Sequence, residues 1–172
     1  LAALNTVKWQ PTLQTINTDG LGAITALEEV TRIDHQSILI LGAGGTAYGI
    51  TAALSQYKSQ VTIYNRTPSH AQALAERYHA QVITQLTPDH SYDILISTLP
   101  PAAYSNNKLC KAIAMIINKD TVVMDVNYQP PLSKLLKYAT ANNAAIVHGG
   151  RMFYHQACLQ QQFWLQPEKN TI

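Results

Sequence analysis

A doubly wound α/β domain on a parallel sheet is what this sequence predicts, and three observations carry the prediction. Short apolar runs rich in β-branched residues alternate with helix-period segments from residue 37 onward, the rhythm of βαβ units joined by right-handed crossovers. The runs are apolar along nearly their whole length, which suits strands covered on both faces. The first of them, "SILILGAGGTA" (Ser37–Ala47), flows straight into a glycine cluster with a helical pattern behind it.

Taken in order, strands are expected at Ser37–Leu41, Val61–Tyr64, Ile94–Ser97, Val122–Val126 and Ala145–Val147, with a weaker one at Gln81–Thr84. Helices fit Gly45–Gln56, Pro68–Tyr78, Lys108–Ile117, Leu132–Ala141 and Arg151–Leu165. Thr67-Pro68 reads as a hydroxyl cap followed by proline at the first helical position. "INTDGLG" (Ile16–Gly22) precedes a further helix-like run, and Thr18 and Asp19 are expected to accept from its free first-turn N–H groups. In the last helix Met152, Gln156, Leu159 and Phe163 share a face. A glutamine in such a stripe needs a partner, either a substrate hydroxyl or a backbone carbonyl of the core. The first eighteen residues and the last helix stand outside the α/β rhythm.

With 172 residues, 47% of them hydrophobic, the chain can bury the core of one main domain. Its net charge is +2 and the basic residues are scattered, which argues against a nucleic-acid or membrane surface as the main partner. The longest apolar runs are too short to cross a bilayer, and no secretory signal is visible. Cys110 and Cys158 match no metal-ligand spacing and read as reduced thiols, so a cytoplasmic setting without a metal is expected. The chain starts at Leu1 rather than Met, so a fragment of a larger protein is expected.

The glycine cluster carries the chemistry. Gly42 makes the tight turn, Gly44 lets backbone approach a pyrophosphate, and Ala47 allows the helix to pack on the strand. Ala43, Gly45 and Thr46 complete the turn, and the helix N-terminus offers N–H donors and a positive dipole end to the phosphates. The competing reading is a glycine turn present for packing alone. At the end of the second strand, NAD binders place an acidic residue for the ribose 2′-OH. This chain has Asn65, Arg66 and Thr67 instead, donors suited to a 2′-phosphate, so NADP is favoured over NAD. Here the competing reading is a helix cap at Thr67 and a solvated Arg66.

"LNTV" (Leu4–Val7), "INTDGLG", "LGAGGTA", "YNRT", "DVNY" (Asp125–Tyr128) and "GGRMFYHQACLQQQF" (Gly149–Phe163) follow in that order. The ordered set resembles the C-terminal two-thirds of the shikimate dehydrogenase family, from Asn5 to Trp164. The resemblance implies reduction of 3-dehydroshikimate to shikimate with NADPH. It also implies a division into residues 1–18 (end of a substrate domain), 19–149 (a Rossmann-like NADP-binding domain) and 150–172 (a helix returning to the substrate domain). By position, Asn5 and Asp19 would contact substrate hydroxyls, and Asp19 would pair with a proton-transferring lysine from elsewhere. Tyr128 and Gln156 would line the other side of the substrate pocket. Gly42 to Thr46, Asn65, Arg66, Thr67 and His70 would hold NADP, with Val126 and Gly149 beside the nicotinamide.

Several positions depart from the family pattern. His70 stands where arginine is frequent, Tyr48 where Arg or Lys is, and "STLPPAA" (Ser97–Ala103) replaces the usual loop after the fourth strand. His148 and Arg151 replace the familiar Asp and Gly around Gly149. A quinate or other cyclic-polyol dehydrogenase is one alternative; a non-catalytic NADP- or metabolite-binding module is another. Lys8 reads as an ordinary surface lysine, and His148 and His155 as exposed or structural. Without a lysine for Asp19, the chain alone is expected to bind NADP(H) but turn over little shikimate.

Overall fold

Six parallel strands form the central sheet of the computed structural model, which describes residues 3–9 and 11–166. The outermost residues of the segments 1–18 and 150–172, namely 1–2 and 167–172, lie outside the described residues, as does residue 10. A hairpin comes first, β1 (Thr6–Trp9) and β2 (Leu13–Ile16), followed by α1 (Asp19–Glu28). The main rhythm is β3 (Ser37–Leu41), α2 (Gly45–Leu54), β4 (Gln60–Tyr64), α3 (Pro68–Tyr78) and β5 (Gln81–Ile83). It continues with β6 (Ile94–Ser97), a 3-10 turn (Pro101–Ser105), α4 (Asn107–Ile116), β7 (Val122–Asp125), α5 (Lys134–Ala141), β8 (Ala145–His148) and α6 (Gly149–Leu165). Each expected strand and helix is present to within two residues at either end. The hairpin and the 3-10 turn are additions, and so are the limits of α1.

The strand order is β5-β4-β3-β6-β7-β8. Successive strand residues face opposite sides, and the apolar runs therefore feed two cores. Ile38 and Ile40 of β3, Ile94 and Ile96 of β6, and Val122 and Met124 of β7 pack with residues of α1, α2, α3 and Met152 of α6. Leu39, Leu41, Leu95 and Val123, on the other side, pack with residues of α4 and α5. This two-sided burial is the physical reason the strands lack polar alternation.

Two glycines set how closely α1 approaches its neighbours. A Cβ on Gly20 would lie 2.1 Å from the carbonyl oxygen of Gly49 in α2, and one on Gly22 would lie 2.8 Å from the Cβ of Gln156 in α6. Helix α1 is thus wedged between α2 and α6 at backbone contact. The far end of α6 is strapped to the hairpin. The Trp164 indole donates to the carbonyl of Val7 at 3.0 Å, and the Lys8 ammonium donates to the carbonyls of Phe163 (3.4 Å) and Gln166 (2.5 Å). Lys8 therefore serves the free carbonyls at the C-terminus of α6, a role beyond that of an ordinary surface lysine.

Glu29, just past α1, accepts from both Nε (2.9 Å) and Nη2 of Arg151, and lies 2.8 Å from Nε2 of His155. These bonds hold its carboxyl down at about 2. Its contribution is present above the ordinary value of 4.5 and is lost as pH falls toward 2. Thermal melts of Glu29→Gln should fall below those of the parent at neutral pH, with the gap closing as pH drops through that window. A pH-independent gap would contradict the assignment.

Candidate functional site

The parallel register aligns the carboxyl ends of five strands in one row. Tyr64 pairs with Leu41, Leu41 with Ser97, Ser97 with Asp125 and Asp125 with His148. Each segment expected to hold the cofactor begins just beyond this row: Gly42–Thr46, Asn65–His70, Val126 and Gly149. The strand order reverses between β3 and β6, and open α/β sheets bind ligands at such a switch point.

Gly42 has a φ of +108° and hydrogen-bonds from its N–H to the carbonyl of Tyr64 at 2.8 Å. A side chain there would meet Thr98 Oγ1 at 2.3 Å, an oxygen already donating to the carbonyl of Leu41 at 3.0 Å. The "STLPPAA" loop is thereby pinned to the glycine turn through Thr98. Gly44 is different: it is exposed, in extended backbone, and an added Cβ would find nothing within 4 Å. It starts α2 with no side-chain cap and no acidic residue in the first turn. A polar, open helix start of this kind suits a dinucleotide pyrophosphate, so the residues present fit that group.

At the end of β4, Asn65 turns inward on its own loop, its amide donating to the carbonyl of Thr67 at 2.8 Å. Arg66, Thr67 and His70 are exposed. Thr67 does start α3, with Pro68 at its first position, but its hydroxyl makes no cap bond, which leaves that oxygen for another partner. Val126 and Gly149 are brought together: a Cβ on Gly149 would lie 2.4 Å from the Val126 carbonyl oxygen and 2.6 Å from the carbonyl of Asn127. Only glycine permits that approach.

A second cluster forms where the hairpin, α1 and α6 meet. Asn5 Nδ2 donates to Asp19 Oδ1 at 2.7 Å and to Thr18 Oγ1 at 2.9 Å, while Asn5 Oδ1 accepts from the Thr18 N–H at 3.0 Å. Thr18 Oγ1 donates to Gln156 Oε1 at 3.2 Å. Asn5, Asp19 and Gln156 are therefore linked through Thr18. Gln156 finds its partner in a buried threonine hydroxyl, neither of the two partners anticipated from its helical stripe. Burial pushes the Asp19 carboxyl above its usual value, against the Asn5 hydrogen bond that lowers it. Among the described residues no lysine pairs with Asp19.

The cap of α1 requires a correction. Thr18 occupies the capping position but makes no cap bond; Asn17 Oδ1 accepts from the N–H of Asp19 (3.0 Å) and Gly20 (3.4 Å). Thr18 sits at φ −95°, ψ −11°, in the helical region rather than the extended one a capping side chain needs. Its hydroxyl is spent on Asn5 and Gln156, and the Asp19 carboxylate is free to face the cluster.

Tyr128 is more than half exposed and lies against the ring of Phe153 on α6, centroids 5.1 Å apart. His148 Nδ1 lies 2.9 Å from the carbonyl of Pro131, and His155 is held by Glu29, so both have structural partners. Tyr48 packs edge-on to Tyr78, with the Arg77 guanidinium 5.6 Å over its ring. Both cysteines are free. No cluster of three His, Cys, Asp or Glu that could hold a metal exists among the described residues, and no helix there is long and apolar enough to cross a membrane. Sequence reasoning missed Asn17 and Asn127. The only signal for the latter was the Asp-x-Asn spacing of an Asx turn.

The fold is that of a doubly wound, dinucleotide-binding type of α/β domain, with the Asn5–Thr18–Asp19–Gln156 cluster beside it. Residues 25–128 match the model of the shikimate / quinate 5-dehydrogenase family, and the chain belongs to that family. It is 34% identical over 180 residues to a shikimate dehydrogenase (NADP(+)) from Methanothermobacter thermautotrophicus, covering 95% of this chain and 62% of that protein. Among solved structures it is similar to shikimate dehydrogenase from Aquifex aeolicus, with a TM-score of 0.82, 27% identity, and 95% and 61% of the two chains covered. It is also similar to the Thermus thermophilus enzyme in complex with NADP(H) and shikimate, with a TM-score of 0.79, 25% identity, and 96% and 64% covered. The chain spans from 29% to 64% of the length of the curated relatives it matches.

Proposed function

We propose that this chain is the NADP-binding portion, with part of the substrate site, of a cytoplasmic NADP-dependent shikimate dehydrogenase that interconverts 3-dehydroshikimate and shikimate. The observation that carries the reading is the row of strand ends, which gathers the glycine turn, the Asn65–His70 segment, Val126 and Gly149 at one edge of the sheet. Family membership and the Asn5–Thr18–Asp19–Gln156 cluster support it. Nucleic acid and membrane have no part in this reading.

NADP, when bound, supplies the hydride. Gly44 and the start of α2 would hold its pyrophosphate, Asn65, Arg66, Thr67 and His70 its 2′-phosphate, and Val126 and Gly149 its nicotinamide end. Asn5 and Asp19 bind substrate hydroxyls, and Tyr128 and Gln156 form the opposite wall. The oxygen that becomes an alkoxide needs a proton. A lysine from the part of the relatives' length that this chain does not span donates it, held in place by Asp19. A half-buried carboxylate whose pKa burial has raised is a site that gains from an arriving cation, because the ammonium removes the penalty of keeping the charge there.

The direct test is titration of the chain with NADPH and NADH, followed by shikimate and quinate oxidation in the full-length protein that carries it. NADPH should bind at least about ten-fold more tightly than NADH; equal affinities would remove the role given to Arg66 and His70. Asp19→Asn should lower shikimate turnover by roughly ten-fold or more. The same change should stabilise the fold slightly, since an amide costs less to bury than this carboxylate. That gain should grow as pH rises above the ordinary carboxyl value and vanish below it. Oxidation of quinate in preference to shikimate would shift the substrate assignment within the family. Tight NADPH binding with no oxidation of either polyol would favour a non-catalytic module.

A further inference from the structure

One residue, through its side chain and its backbone, links the segments that follow β6, β7 and β8. Asn127 Nδ2 donates to the carbonyl of Leu99, beyond β6, at 2.8 Å and to Asp125 Oδ1, at the end of β7, at 2.7 Å. Its own N–H donates to the same carboxylate oxygen at 3.0 Å. Its carbonyl lies where a Cβ on Gly149, at the start of α6, would touch it. Asp125 is fully buried, and its other oxygen has no hydrogen-bond partner among the described residues. A cavity of about 310 Å³ opens between the 3-10 turn and the start of α5, lined by Tyr104, Asp125, Asn127 and Lys134 among others.

We propose that Asn127 is the positioning residue of the site. It is a crosspiece that fixes the "STLPPAA" loop and the Val126–Tyr128 segment as one unit. The inference rests on the reading of Val126 as a nicotinamide neighbour and Tyr128 as a pocket residue. The Val126 N–H already donates to the Ser97 carbonyl at 3.0 Å; the two Nδ2 hydrogen bonds are the side-chain ties that bind this segment to the loop after β6. Asp125 supplies the acceptor that orients the amide, and burial of that carboxylate makes loss of the donors expensive. The crosspiece gives the divergent loop after β6 a further attachment, beside Thr98 on the Leu41 carbonyl and Lys134 on the Tyr104 carbonyl.

Two isosteric variants separate this role from simple space filling. Asp125→Asn retains an amide oxygen able to accept both bonds from residue 127, whereas Asn127→Asp removes both Nδ2 donors. Hydrogen exchange of residues 98–105 and 126–131 is measured in the 172-residue chain, with strand β3 as internal reference, and NADPH affinity is measured alongside. Asn127→Asp should speed exchange in both segments by roughly ten-fold or more, leave β3 unchanged, and weaken NADPH about ten-fold. Asp125→Asn should stay within about two-fold on both readouts. Loosening confined to residues 126–131, equal loosening of β3, or equal behaviour of the two variants would overturn the proposal. A parent chain that fails to bind NADPH would sink the cofactor reading, while the exchange pattern still decides the crosspiece.

Discussion

Gly44→Asp should abolish useful NADPH binding without weakening the fold. The position is exposed extended backbone that any residue can adopt, and an added side chain meets no atom within 4 Å. Aspartate is among the best capping residues, and its charge complements the positive end of α2. The melting temperature should therefore hold or rise, by a few tenths of a kcal/mol to about 1 kcal/mol. The same carboxylate would occupy the open helix start and oppose the pyrophosphate with like charge. A repulsion of about 2–3 kcal/mol corresponds to roughly a hundred-fold loss of affinity. Isothermal titration with NADPH, paired with a thermal melt, checks both halves. Unchanged affinity would mean that the glycine turn serves packing and that the phosphates bind elsewhere.

Gly20→Ala should be among the most destabilising single-methyl additions in the molecule. Helix propensity alone predicts the opposite, a gain approaching 1 kcal/mol. Contact geometry outweighs it, because the new methyl would sit 2.1 Å from the Gly49 carbonyl oxygen and 2.6 Å from its carbon. Those are backbone atoms of a packed helix, so relief requires α1 and α2 to separate. Gly49 cannot yield easily, since a Cβ built there is itself 2.7 Å from Asn17 Oδ1, the cap of α1. A net loss of about 3 kcal/mol, or roughly 6–12 °C in melting temperature, is expected. A melt within about 2 °C of the parent, the effect of no more than about 1 kcal/mol, would refute the wedge. Because Asn17 and Asp19 lie on the same turn, a shift of α1 would also disturb the Asn5–Asp19 bond.

These two glycines show how unevenly function was legible. The fingerprint glycines announce themselves, because a strand, a turn and a helix must meet around them whatever the rest of the chain does. Gly20 and Gly22 carry no local signature; their necessity comes from α2 and α6, elements some thirty and some hundred and thirty residues away along the chain. The cap of α1 was misassigned for a related reason. Thr18 is a good capping residue by type, yet its hydroxyl is claimed by Asn5 and Gln156, and Asn17 takes the cap. The hairpin β1–β2 escaped notice because its strands are four residues each and its outward apolar residues, Val7, Trp9 and Leu13, remain exposed. Periodicity reports burial, and these residues are not buried in this chain.

The sequence by itself determined the α/β class, the strands and helices of the sheet, the dinucleotide turn and the absence of an acidic residue at the end of β4. All of these follow from residues within a dozen positions of one another, where strand period, helix period and turn chemistry act locally. Tertiary structure alone decided which strand ends form one row, how α1 lodges between α2 and α6, and that Asn127 ties β6 to β7. Those outcomes depend on contacts between distant segments, and no local pattern encodes a distance across a sheet. Asp19 belongs to both: its place at a helix start was readable, while its partner Asn5, its partial burial and its raised pKa exist only where hairpin, α1 and α6 converge.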